Sequence, residues 1–170
     1  TFILFTGYMP LYLNVLHGLS PSGSTTIVAA WIGIGVFAGL VTGRVVSKSG
    51  GEARALQVAF AIEAFLFLIA NATLSSEWLQ SSWPTIGYSM IVLTGVPVFI
   101  TFPAVNGLLG LRMPHRRLGL TYALSLSLGL MVASVAAYLT GYLASIASIA
   151  IVLPMLLITA ILGTVASFML

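Results

Sequence analysis

Apolar runs of about 20 residues, separated by short breaks rich in polar residues, glycine and proline, recur six times along the chain. The breaks place candidate helices at 1–17, 24–43, 55–73, 85–110, 119–144 and 148–170. A helix packed on the core of a soluble domain would show a polar stripe; these runs are apolar all round, which is the pattern of helices that cross a hydrocarbon layer ~30 Å thick. The connections carry turn chemistry. In "HGLSPSGS" (17–24) Gly18 and Pro21 break the helix, and a serine can cap the next one. The sixth run, "IAIVLPMLLITAILGTVASFML", has almost no polar side chains and is expected to face lipid.

Composition agrees with six spans. Hydrophobic residues make up 59% of the chain and charged ones 5%, against about a quarter charged in a soluble domain, so a multi-pass membrane protein is expected. The absence of cysteine excludes disulfides, thiolate metal ligands and Cys nucleophiles. The few charges then give a topology. Arg44, Lys48 and Arg54 fall in the second connection and Arg112, Arg116 and Arg117 in the fourth, two spans apart and therefore on one side. Basic connections stay in the cytoplasm, which puts both chain ends there and the Lys/Arg-free connections outside. Trp78 and Trp83, in "SSEWLQSSW", suit an outer interfacial belt. A net charge of +3 is accounted for by topology and lipid headgroups and calls for no nucleic acid. Because the chain opens on Thr1 and both ends lie in apolar runs, it is expected to be a single unit, 1–170, excised from a longer polypeptide.

Small residues at intervals of four form two ladders, Gly35, Gly39 and Gly43 in the second run and Gly129, Ala133, Ala137 and Gly141 in the fifth. Such stripes let another helix backbone come close, which in lipid replaces the hydrophobic drive for packing. The ladders occupy matching places in successive three-span units that run oppositely through the membrane. Proline also recurs in the first and fourth runs, as Pro10 and as Pro97 and Pro103. The expected fold is therefore an all-α membrane protein, a six-transmembrane-helix bundle built from a 3+3 inverted repeat, with both ends cytoplasmic. Inverted repeats are common in secondary transporters, where the substrate site lies near the membrane midplane.

Over essentially its whole length the chain resembles one six-helix half of the major facilitator superfamily. Gly39, Gly43, Arg44, Lys48, Gly50 and Arg54 look like a degenerate copy of the family's loop motif between the second and third helices. Gly43 stands where the family has Asp, a departure that suggests a C-terminal half. The stretch 113–144 is similar to the family's fourth connection and fifth helix, with Pro114, Arg117, Gly119, Gly129 and Gly141 as matching points. The resemblance implies a second six-helix half, most simply in the same chain, and alternating access by rocking of the two halves. It also implies that the first and fourth helices line the cavity, that the second and fifth face the other half, and that Gly39, Gly43 and Arg44 belong to a gate.

Polar side chains on the first and fourth runs, Tyr8, Tyr12, Thr94, Thr101 and Asn106, are the substrate-binding candidates. Neither run carries Lys or Arg within its membrane section, so the small-molecule solute is expected to be neutral, apolar or cationic unless the other half supplies basic residues. Glu63 is the ionisable residue well inside a span and the candidate for proton coupling. There is no paired intramembrane Asp, HExxH motif or nucleophile turn, so no enzyme activity, catalytic residue, metal or cofactor is expected. A half that pairs with itself and a non-transporting membrane scaffold are the alternatives.

Overall fold

The computed structural model describes residues 1–49, 51–76 and 84–169, with the backbone alone at 47–49 and 115. Gly50, Trp78 and Trp83 lie outside the described residues, and the Lys48 and His115 side chains are not described. Among the described residues there are seven α-helices: α1 (Phe2–His17), α2 (Pro21–Ser49), α3 (Glu52–Ser75), α4 (Pro84–Leu93), α5 (Gly95–Arg112), α6 (Leu118–Ile146) and α7 (Val152–Ser167). Short 3-10 turns at His115–Arg117 and Ile149–Ile151 precede α6 and α7, and there is no strand among the described residues. Helices α4 and α5 are two segments of one 29-residue span, interrupted at Thr94. Among the described residues five helical spans are long and apolar enough to cross a membrane; α1 is apolar but only 16 residues long.

The first turn follows from its residues. Gly18 takes the left-handed conformation (φ 63°) that ends α1, where Gly18 N donates to Asn14 O at 3.2 Å and Leu19 N to Leu13 O at 3.3 Å. Pro21 then opens α2 where no N–H is needed, and Ser20 Oγ accepts from Gly23 N at 3.1 Å.

The second connection differs from expectation. Helix α2 continues to Ser49 and α3 begins at Glu52, so Arg44, Lys48 and Arg54 sit on helices and not in a loop. Nothing between Arg44 and Ser49 breaks a helix, and long basic side chains let its polar end leave the hydrocarbon without unwinding.

Helix α3 is the hub, packed on α4, α5 and α7. Glu52, Leu56, Ala59, Glu63, Phe67, Ala70 and Leu74 recur every three or four residues and form its buried stripe. The most extensive interface joins α2 to α5. A Cβ on Gly39 would lie 3.2 Å from Phe99 O and one on Gly43 3.4 Å from Pro103, while a Cβ on Gly35 would overlap the Phe99 ring and the Gly95 carbonyl. The second-span ladder is thus turned toward the fourth span of the same chain. The fifth-span ladder is divided: Ala137 and Gly141 meet Tyr8 of α1, whereas Gly129 and Ala133 face open space beside α1 and α5. Helix α6 is the outlier of the bundle, with Thr140 its one buried residue.

Candidate functional site

A cleft of about 950 Å³ opens between the start of α1, the middle of α5 and the N-terminal half of α6, with Phe60 and Glu63 of α3 at its back. It exists because α6 touches the rest of the bundle at both ends but not between. Toward its C-terminus the Tyr8 hydroxyl donates to Ala137 O at 3.0 Å; toward its N-terminus the Tyr122 hydroxyl donates to Asn106 O at 3.0 Å. The space between these two ties is the cleft.

Its walls are mostly apolar, with Phe2, Phe60 and Phe102 among them and no Lys or Arg among the described residues that line it. Polar groups enter at Thr101, Asn106, Tyr122 and Ser125, and the one charged side chain is that of Glu63. Glu63 Oε1 accepts a hydrogen bond from the Thr1 hydroxyl at 2.6 Å, and the same Thr1 oxygen lies 3.3 Å from the Thr159 hydroxyl. The first, third and sixth spans therefore meet at a polar knot, with Glu63 only 1% exposed. A carboxyl so far from water needs such a donor, because desolvation without one costs several kcal/mol.

The sequence-derived candidates separate. Thr101 and Asn106 line the cleft. The Thr101 hydroxyl donates to Val98 O at 2.6 Å, which leaves its oxygen lone pairs able to accept from a solute. Tyr8 serves the α1–α6 contact through Ala137. Tyr12 is buried in the core, 5.2 Å from the His17 ring. Thr94 is fully buried and accepts a hydrogen bond from the Trp31 indole N–H at 3.0 Å. Gly39 and Gly43 lie in the α2–α5 interface, and Arg44 is exposed on the last turns of α2.

Sequence reasoning passed over Tyr122 and Trp31. Each carries a polar atom on an aromatic ring inside an apolar run, and such an atom must find a partner when it is buried or lipid-facing. That requirement was the available signal, although it names no partner. Chemically, the cleft offers hydroxyl and amide groups, aromatic faces and one carboxyl, a set that suits a neutral or cationic organic solute better than an anion. No family model, curated protein or solved structure matches the chain.

Proposed function

We propose that the chain is one six-helix half, C-terminal by its motif, of a secondary active transporter that resembles the major facilitator superfamily and moves a small solute by alternating access. The observation that carries this reading is the set of spans in contact. Span 1 meets spans 2, 5 and 6; span 2 meets 3 and 4; span 3 meets 4 and 6; span 5 meets 4 and 6. Exchanging 1 with 4, 2 with 5 and 3 with 6 returns the same set. An arrangement that survives this exchange supports a 3+3 inverted repeat, and inverted repeats place substrate between the repeats near the midplane. The cleft between spans 1, 4 and 5 is the corresponding space. Thr101 and Asn106 contact the solute there, Glu63 is the group available for proton coupling, and Arg44 lies at the cytoplasmic edge of the moving interface. The protein resides in the cell membrane with both ends of the segment in the cytoplasm.

Solute flux into membrane vesicles carrying the native polypeptide, measured over neutral and cationic organic solutes, tests the reading. Flux that falls at least tenfold with Asn106→Ala supports it; no flux above that of control vesicles for any solute, from protein that is folded, overturns it. The exposed α6 favours one second reading, a half that pairs with a copy of itself. A native polypeptide mass near 17.9 kDa together with flux would select that version.

A further inference from the structure

The fourth span is the one described span whose helix is interrupted in its middle, and the interruption has local causes. Pro97 has no N–H to give to Leu93 O, and its ring crowds that carbonyl. Thr94 N is shared between Met90 O at 3.1 Å and Ile91 O at 3.2 Å, while the Thr94 hydroxyl donates to Ile91 O at 2.7 Å. A hydroxyl that bonds back to its own helix bends it. Helix bonding is therefore weakest over one turn, from Leu93 to Pro97.

That turn is gripped from the second span. The Trp31 indole N–H donates to the Thr94 hydroxyl oxygen, and a Cβ on Gly95 would collide with the Trp31 carbonyl. Trp31 is itself fixed by stacking on Phe5, with ring centroids 4.1 Å apart and planes 12° from parallel, and by an edge contact with Phe99 at 5.5 Å. Beyond the grip, α2 presents Gly35, Gly39 and Gly43 to α5. Because that face carries no side-chain knobs of its own, only Phe99 and Pro103 of α5 are seated in it and need move when α5 shifts across it.

From these contacts we infer that the fourth span is jointed at Leu93–Pro97 and that the Trp31–Thr94 hydrogen bond is the latch that holds α5 in the orientation seen here. Opening the latch lets α5 swing over the smooth face of α2. The lever is long: the helix from Thr94 to Leu111 spans about 25 Å, so a turn of about 15° at the joint moves the far end by about 6 Å. Thr101 and Asn106 ride on that arm, so on the transporter reading the joint also sets the width of the cleft. The joint itself does not depend on that reading, and its test uses no transport assay.

Spin labels at Leu111 of α5 and Leu162 of α7, both exposed, report the swing as a distance distribution in reconstituted protein. Thr94→Val keeps the shape of the side chain and removes the acceptor. It is expected to broaden the distribution or shift it by several Å, and Thr94→Ser is expected to restore the original one. Pro97→Ala returns the missing N–H and is expected to suppress the effect of Thr94→Val in the double variant. Coincident distributions for Thr94→Val and the unaltered chain would overturn the latch, as would a Thr94→Val effect that survives Pro97→Ala. Amide exchange in the unaltered chain gives a measurement free of folding defects. The Gly95 and Val96 amides are expected to exchange at least tenfold faster than amides one turn to either side, and equal protection would overturn the joint.

Discussion

At the residue scale, several hydroxyl, indole and carboxyl groups of this bundle follow one rule: a polar atom set in an apolar run bonds to another part of the protein. Thr1, Thr94, Tyr8 and Tyr122 all obey it, and each ties two different spans together. Glu63 makes the rule measurable. Thr1→Val removes the donor from its carboxyl and is expected to destabilise the fold by about 1–3 kcal/mol, the cost of leaving a buried acceptor without its bond. Glu63→Leu removes both needs together and is expected to cost less than Thr1→Val, or to stabilise, because replacing a buried charge by an apolar side chain of similar volume is often neutral or favourable. Reversible unfolding in mixed micelles checks the order of the two. On the transporter reading, Glu63→Gln also keeps the hydrogen bond but removes the titrating group, so flux should persist and lose its dependence on pH.

At the element scale, the glycines show which contacts are set by backbone approach. Gly95→Ala would drive a methyl group into the Trp31 carbonyl, and backbone cannot yield as a side-chain tip can. A loss of about 2 kcal/mol or more is expected. Gly33→Ala, on the same span as Trp31, meets nothing within 4 Å and is expected to be neutral or slightly stabilising, since alanine also favours the helix. Gly129→Ala belongs with Gly33, and Gly35→Ala with Gly95. Melting temperatures of the four variants in one detergent test this grouping, and an equal loss in all four would contradict it. The sequence made both ladders visible because spacing alone reveals a stripe of small residues. It did not reveal that one stripe would be filled along its length and the other filled at one end, because that depends on where Phe99, Pro103 and Tyr8 arrive from other helices. The joint at Thr94 was half legible for the same reason: Pro97 marks a weak turn, but only the fold brings Trp31 to it.

At the scale of the whole molecule, the apolar helices and their order were legible, five of them long enough to cross a membrane among the described residues, because lipid imposes a length and an apolarity on each run, and neither depends on tertiary contacts. The cleft was not legible, since it is the gap between two tyrosine ties on α6 and each tie ends on a main-chain carbonyl that has no sequence signature. Orientation in the membrane rests on the six basic residues, which flank the Gly51 and Met113–Pro114 turns at the same end of the bundle. A chain without cysteine allows that orientation to be read one position at a time. Ser20→Cys, in the turn between α1 and α2, is expected to react with a membrane-impermeant maleimide added to intact cells. Met113→Cys, in the turn between α5 and α6, is expected to react only after the cells are permeabilised. Reaction of both from outside would place the basic turns on the wrong side of the membrane and, with them, both chain ends and the proposed position of Arg44 at a cytoplasmic gate.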